Sequence, residues 1–328
     1  MKRRLFFIKG GIIGISVILC FVLTGTGNAQ DKYPSREIDV VNGAGFGSSA
    51  DLIGRSLCNA ASRILGQPMI VTNKSGAGTA LALGSLKTKK ADGYNLGFLA
   101  SGALYGQQLR EVPYDLNKDF TYIIQFCEFQ HGILVKSDSR WKTLSEFIEY
   151  AKANPGKVRV SITQIGMVQQ LIMERLSIKS GAKWIYIPYT GDSDAIAAVL
   201  GGHAEALCAA STWVPHVDAG QLKLLAVCGG GEKRMQRYPN IPTLTELGYE
   251  ITAPTFYGIG GPKGIPNHVV ETLHKAFKKA MVDPDFIKLA EQFYYPIVYR
   301  GPEDFTKYSA EMSENVSELI RKLGLRKE

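Results

Sequence analysis

Two glycine-rich turns, each placed between a short apolar run and a helix-like pattern, constrain the fold of this chain most. The first is Asn42-Gly43-Ala44-Gly45-Phe46-Gly47-Ser48-Ser49-Ala50-Asp51, and the second is Asn73-Lys74-Ser75-Gly76-Ala77-Gly78-Thr79. A strand, a tight turn and a helix in this order are typical of a parallel α/β sheet. Backbone N–H groups at such a turn, together with the partial positive charge of the helix start, favour a bound carboxylate or phosphate. The sequence therefore predicts an anion site, and capture of a small organic acid is its simplest use.

The first 29 residues have the features of an export signal. Four basic residues precede the apolar stretch from Gly10 to Leu23, and Gly27-Asn28-Ala29 supplies small residues for a signal peptidase. The apolar stretch is short for a bilayer span, which favours a cleaved signal over an anchor. Arg3-Arg4-Leu5-Phe6-Phe7 also resembles a twin-arginine signal, so both export routes stay open. We expect cleavage near Ala29 and a location in the periplasm.

Composition narrows the class of protein further. Removal of the leader from the 328-residue chain leaves enough residues for two compact lobes, and the net charge falls from +8 to +4. The remaining basic residues are scattered, which argues against a nucleic-acid partner. The histidines and the remaining cysteines lack metal-ligand spacing, so neither a metal nor a cofactor is expected. We expect buried thiols at Cys58, Cys127, Cys208 and Cys228. A disulfide between two of them stays open as an alternative.

Short β-branched runs alternate with helical patterns from Ile38 onwards. This alternation predicts strand–helix–strand units and, in each lobe, a mostly parallel sheet flanked by helices. A second alternating set starts near His131. The two long amphipathic helices at the end of the chain, from His268 to Met281 and from Pro302 to Leu323, are expected to return to the first sheet.

That return requires the chain to cross between the lobes twice. The crossings, which would form a hinge, are predicted near residues 130–133 and 252–257. We therefore predict lobe 1 at residues 30–131 plus 253–328 and lobe 2 at residues 132–252. The ligand cleft is expected between the two lobes.

The first turn also matches the GxGxxA pattern of a dinucleotide-binding turn. This alternative, an exported dinucleotide-dependent oxidoreductase, requires an acidic residue after the second strand to bind a ribose hydroxyl. The chain has Asn73-Lys74-Ser75 there. A hydrolase lacks support because no GxSxG elbow occurs. We predict a binding protein and not an enzyme.

A set of short motifs runs in order along the chain after the leader. Besides the two glycine turns, it includes Tyr33-Pro34-Ser35-Arg36-Glu37-Ile38, Leu65-Gly66-Gln67-Pro68, Ala91-Asp92-Gly93-Tyr94, Val112-Pro113-Tyr114-Asp115, Pro188-Tyr189-Thr190-Gly191 and Leu200-Gly201-Gly202. Their order and spacing resemble the solute receptors of tripartite tricarboxylate transporters, the Bug type. The resemblance implies a two-lobe, type II-like periplasmic binding protein. Its lobes, joined by two hinge segments, close over one mono- or dicarboxylate and hand it to a membrane permease.

The expected protein is a monomer that binds a small organic acid. A receptor that presents the ligand to a sensor kinase would use the same cleft, and it stays open as an alternative. The two differ only in the surface that docks the partner.

The resemblance also implies which residues contact the ligand. In the first lobe, the two glycine turns and the turn after the third strand are expected to hold its carboxylate. These residues are Phe46, Gly47, Ser48, Ser49, Asp51, Ala77, Gly78, Thr79 and Ser101. In the second lobe, loops that follow strands are expected to contact the rest of the ligand. These residues are Thr163, Gln164, Ile165, Gly166, Met167, Tyr189, Thr190, Ser211 and Thr212.

Two of these loops depart from the family pattern. In the first turn, Ser48 and Ser49 offer hydroxyl donors where the family relies on the backbone, and the second lobe has Gln164-Ile165-Gly166-Met167 in place of small polar residues. Fewer hydroxyl groups and more apolar bulk in the second lobe suit a ligand with one carboxylate end and an apolar or aromatic body.

Overall fold

A computed structural model of the protein describes residues 33–76, 79–163, 165, 167–189, 191–229, 233–322 and 324. The predicted export signal lies outside these residues. Two mixed sheets organise the described part of the chain, and helices flank each of them. None of the helices in this part combines the length and the apolarity needed to cross a membrane.

Six strands form the first sheet. They are β1 (Ile38–Asn42), β2 (Met69–Asn73), β3 (Asn95–Ala100), β4 (Phe120–Cys127), β10 (Tyr257–Pro262) and β11 (Ile297–Arg300). Their spatial order is β11-β4-β10-β3-β1-β2. β1 pairs in parallel with β2 and β3, whereas β10 runs antiparallel to β3 and β4. The carboxyl ends of β1, β2 and β3 therefore meet at one edge of this sheet.

Five strands form the second sheet. They are β5 (Gln130–Lys136), β6 (Val158–Thr163), β7 (Trp184–Tyr189), β8 (Ala206–Ala210) and β9 (Leu222–Gly229). Their spatial order is β7-β6-β8-β5-β9, with β6 parallel to β7 and β8 and with β5 antiparallel to β8 and β9. Most strands in each sheet share one direction, which confirms the predicted fold class. The exceptions are β5 and β10, by which the chain enters each sheet from the other, and the edge strand β11.

The described residues form eleven α-helices. They are α1 (Ser49–Leu65), α2 (Ala80–Leu86), α3 (Ser101–Leu109), α4 (Leu116–Asp119), α5 (Leu144–Ala153), α6 (Val168–Ser180), α7 (Asp192–Leu200), α8 (Val214–Asp218), α9 (Asn267–Ala280), α10 (Pro284–Gln292) and α11 (Pro302–Lys322). The local sequence sets the ends of α1. The Ser48 hydroxyl accepts a hydrogen bond from the Asp51 N–H at 3.3 Å, and Gly66 ends the helix with a left-handed φ of 70°.

The C-terminal helices lie on the first sheet, as the sequence predicts. α9 packs against α1, while α11 packs against β4 and α3. Leu57, Leu273 and Phe277 are fully buried in the apolar cluster that joins α1 to α9. Burial of this apolar surface holds α9 on the lobe that contains α1.

The chain crosses between the two sheets at two adjacent points. The first crossing is Glu128-Phe129, between β4 and β5, and the second precedes β10. The fully buried Thr255 hydroxyl accepts a hydrogen bond from the Phe129 N–H at 2.7 Å and donates one to the Phe129 carbonyl at 2.9 Å. One side chain thus ties the two crossing segments together. Because β5 begins at Gln130, the proposed lobe boundary after residue 131 falls inside this strand.

We predict that Thr255→Val lowers the free energy of unfolding by about 1–3 kcal/mol, because valine removes the hydroxyl that bonds both the part-buried N–H and the part-buried carbonyl of Phe129. Thr255→Ser, which keeps the hydroxyl, is the matched control and should lose less. Urea unfolding followed by circular dichroism measures both variants. Equal stability of the wild type and the valine variant would show that the crossing segments do not depend on this hydroxyl.

Candidate ligand-binding site

Three helices of the first lobe begin at the same edge of the first sheet. α1, α2 and α3 follow β1, β2 and β3, which are neighbouring parallel strands. In the described part of the chain, the N–H groups of Ser49 and Ala50 in the first turn of α1 have no acceptor. Free N–H groups and the positive end of the helix dipole favour an anion at this edge.

The Asp51 carboxylate holds the first glycine turn in place. It is fully buried and accepts four hydrogen bonds, from Asn42 Nδ2 at 2.9 Å, Asn73 Nδ2 at 2.8 Å, the Gly47 N–H at 3.0 Å and Arg55 Nε at 2.9 Å. Burial raises the pKa of this carboxyl group, but the hydrogen bonds from Arg55, Asn73 and Gly47 outweigh that effect, so the pKa lies below its ordinary value. The group is therefore ionised in the folded protein at neutral pH.

The same network joins the first glycine turn to the end of β2. The Asn73 amide also donates to the Ala44 carbonyl at 3.0 Å, and the Arg55 guanidinium donates to the Asn73 side-chain oxygen. Gly43 packs directly against Thr79, because a Cβ at Gly43 would lie 2.7 Å from the Thr79 Cβ. The two turns thus sit side by side, and a larger residue at position 43 would separate them.

The residues predicted in the first glycine turn differ in exposure and in hydrogen bonding. Phe46 is 83% exposed, with the Arg55 guanidinium 5.4 Å from the centre of its ring. The Gly47 N–H is bonded to Asp51, and Ser48 caps α1. The side chains of Ser48 and Asp51 therefore shape the turn, and the N–H groups of the first turn of α1 are the free donors.

The other residues predicted in the first lobe lie at the starts of α2 and α3. Thr79 precedes α2, and Ser101 is buried at the first position of α3. The Ser101 N–H is bonded to the Phe256 carbonyl at 3.0 Å, so the next residues of α3 supply its unpartnered N–H groups. Ala77 and Gly78 lie outside the described residues.

The described residues predicted in the second lobe lie at the carboxyl ends of β6, β7 and β8. Thr163 and Tyr189 end β6 and β7, and Met167 precedes α6. Ile165 is 55% exposed, and Ser211 and Thr212 follow β8. Gln164, Gly166 and Thr190 lie outside the described residues.

Two contacts bring these loops against the first lobe. A Cβ at Gly102, in the first turn of α3, would lie 2.9 Å from the Met167 Cε atom. The buried Ser211 hydroxyl lies 3.0 Å from the Phe293 carbonyl and 3.2 Å from the Tyr294 carbonyl, which are its acceptors. This hydroxyl, which is predicted to contact the ligand, also links the loop after β8 to the segment between α10 and β11.

Two polar residues at this interface, Tyr295 and Asp192, were not predicted from the sequence. The Tyr295 and Ser49 hydroxyls lie 2.8 Å apart, and burial raises the pKa of Tyr295, so its hydroxyl stays neutral. Asp192 begins α7, and burial raises the pKa of its carboxyl group to about 6. Asp192 directly follows the Pro188-Tyr189-Thr190-Gly191 motif. Its place after this motif is the sequence signal that could have marked Asp192 as a site residue.

The described residues offer little to the alternative chemistries. They contain no group of three or more histidine, cysteine or acidic side chains placed to hold a metal ion, and the cysteines are buried thiols. A dinucleotide would need an acid where Asn73 stands, and the Asn73 amide is already bonded to Asp51 and Ala44.

Comparison with known proteins identifies the family. Residues 53–325 match a family model described as tripartite tricarboxylate transporter family receptor. A protein of Cupriavidus necator, described as UPF0065 protein in gbd 5'region, is 37% identical over 327 residues, which are 100% of this chain and 99% of the relative.

Solved structures agree with this match. One structure, described as that of a periplasmic transporter, is 29% identical with a TM-score of 0.80, and the match covers 90% of this chain and 99% of the other chain. The periplasmic binding protein BugD is 26% identical with a TM-score of 0.79, over 90% of this chain and 100% of its own. The matched family is one of solute-binding receptors and not of enzymes. The family match confirms the resemblance carried by the motifs, and the chain belongs to the tripartite tricarboxylate transporter receptor family.

Proposed function

We propose that the protein captures a small organic carboxylate between its two lobes and hands it to the membrane permease of a tripartite transporter. One observation carries this proposal. α1, α2 and α3 begin at one edge of the first sheet, where the first turn of α1 has N–H groups without an acceptor among the described residues. A carboxylate is charged at neutral pH and presents two acceptor oxygens, which such donors bind well.

In the proposed complex, the ligand's carboxylate lies against the first turn of α1 and the start of α3. The second glycine turn, with Ala77, Gly78 and Thr79, completes this side. The loops after β6, β7 and β8 contact the rest of the ligand. Because donors come from two lobes, the complete site exists only when the lobes are together.

Closure of the lobes would shield the carboxylate from water. The contact of Gly102 with Met167 and the hydrogen bonds of Ser211 support an approach of the lobes at this place. The crossing segments tied by Thr255 are the proposed pivot. Hydrogen bonds to the carboxylate strengthen when water is excluded from the closed cleft.

The proposed ligand has an apolar or aromatic body. Phe46 of the first lobe and Ile165 of the second are 83% and 55% exposed, and exposed apolar side chains in loops beside an anion site suit such a body. The proposed form of the protein is a periplasmic monomer whose leader has been removed near Ala29.

A thermal-shift screen of protein from the periplasmic fraction tests the proposed function. The intact mass of that protein checks whether the leader has been removed, and its native mass checks the monomeric state. We expect organic acids to raise the melting temperature, with aromatic acids above citrate and succinate. The corresponding amides are the controls, since they lack the negative charge. Stabilisation by nucleotides alone would contradict carboxylate capture, and stabilisation only by polar dicarboxylates would contradict the apolar body.

We predict that Asp51→Asn weakens binding of the best acid at least about tenfold, because the amide cannot accept all four hydrogen bonds that fix the turn. The same change should lower the free energy of unfolding by about 2–4 kcal/mol, since it leaves Arg55 without its carboxylate. Calorimetric titration and urea unfolding measure the two effects. Asp39→Asn, an exposed change of equal charge on β1, is the control. Unchanged affinity in the Asp51 variant would refute the positioning role.

Gly102→Leu should weaken binding about tenfold or more, because its side chain would meet Met167 when the lobes are together. Leucine is a better helix former than glycine, so α3 itself should not be destabilised. The double variant Gly102→Leu with Met167→Ala should regain part of the affinity, and Met167→Ala alone completes the cycle. The same affinity in wild type and Gly102→Leu would show that closure does not need this approach.

A further inference from the structure

A buried carboxylate oxygen without a partner lies at the interface of the lobes. It is Oδ1 of Asp192, the first residue of α7, which follows β7. No described residue forms a hydrogen bond with it. A buried, unpartnered carboxylate oxygen is unfavourable, so a donor that reaches it gains more binding energy than a donor in water.

Groups from three parts of the second lobe surround this carboxylate. Burial raises its pKa to about 6, while the hydroxyls of Thr212 and Thr163 and the backbone of Ala210 lower it. The Thr212 hydroxyl is already bonded to the Ala210 carbonyl at 3.3 Å. Among the described residues, no lysine, arginine or histidine shifts the pKa of Asp192. The two threonine hydroxyls and the Ala210 backbone lower the pKa by hydrogen bonding to the carboxylate, yet no described residue forms a hydrogen bond with Oδ1 itself.

The first lobe closes over this carboxylate at the proposed site. Burial is the main cause of the raised pKa of Tyr295, and the charge of Asp192 adds to it, which places the two groups near each other. The Tyr295 hydroxyl lies 2.8 Å from that of Ser49, at the start of α1. Ser211, next to Thr212, is bonded to the carbonyls just before Tyr295. Asp192 therefore lies across the interface from the anion-binding start of α1.

We propose that Asp192 is a specificity-determining residue that accepts a hydrogen bond from a hydroxyl, amino or other N–H group on the body of the bound acid. This inference rests on the proposed function and names its substrate class. The class is an organic acid with a hydrogen-bond donor away from the bound carboxylate, such as a hydroxy acid or an amino acid. A second carboxylate at the same place would meet a like charge.

Calorimetric titration with matched acids tests the proposal. Each set keeps one carbon skeleton and adds a hydroxyl or an amino group: succinate with malate and aspartate, glutarate with 2-hydroxyglutarate and glutamate, and 3-phenylpropionate with 3-(4-hydroxyphenyl)propionate and 3-(4-aminophenyl)propionate. The variants are Asp192→Ala, which removes the acceptor, and Asp192→Asn, which keeps its shape in case the alanine variant does not fold. Asp194→Asn, an exposed change in the same turn of α7, is the control.

In the best-bound set, the wild type should prefer the member with the donor by about tenfold or more. Asp192→Ala should bring the members within about threefold of each other, Asp192→Asn should reduce the preference, and Asp194→Asn should keep it. The preference should weaken as the pH falls from 7.5 to 5, because Asp192 gains a proton near pH 6. Besides Asp192, the titratable groups that interact with it are Cys208 and Tyr295, and burial keeps both neutral over this range.

Several outcomes overturn this inference while the proposed function stands. They are equal binding of all members by the wild type, a preference that survives in both Asp192 variants, or a preference that grows as the pH falls. If no acid binds to the wild type, the proposed function fails, and this inference fails with it.

Discussion

The Asp51 carboxylate is the constraint on which the candidate site depends. It accepts donors from the ends of β1 and β2, from the first glycine turn and from α1, and it is fully buried. A buried charge is tolerated only when its hydrogen bonds are satisfied, and here four donors satisfy it. The carboxylate thereby fixes the start of α1 relative to the neighbouring turn. Free N–H groups held in place before the ligand arrives need little reordering on binding, which favours affinity.

The two lobes present the same structural feature to each other. Each offers loops at the carboxyl ends of neighbouring parallel strands, and both chain crossings lie close together at Phe129 and Thr255. In the proposed complex, the first lobe contributes N–H donors for a charge, whereas the second contributes Asp192, Tyr189 and two threonines. This division accounts for a receptor that holds a carboxylate with one lobe and selects the ligand body with the other.

Local signals in the sequence were enough to predict many elements. α5 has the predicted bounds, Leu144–Ala153, because Thr143 caps its start and Asn154-Pro155-Gly156 ends it. β4 and β11 were not predicted, since β4 is almost continuously buried and lacks alternation, and β11 is a four-residue edge strand. Contacts between distant residues were beyond local signals. Ser49 is 246 residues from Tyr295, and Phe129 is 126 residues from Thr255. The glycine turns were predicted to form an anion site, and that stays a prediction; the hydrogen bonds that Asp51 makes within the turn depend on the pairing of β1 with β2 and gave no local signal.

The most direct measurement is a crystal structure of the protein with the acid that stabilises it most. The account predicts a carboxylate with an oxygen about 3 Å from the N–H groups of Ser49 and Ala50, and a ligand body enclosed by the loops of the second lobe. An acid bound elsewhere on the protein, or one bound at this edge through its apolar body with its carboxylate in solvent, would contradict the account.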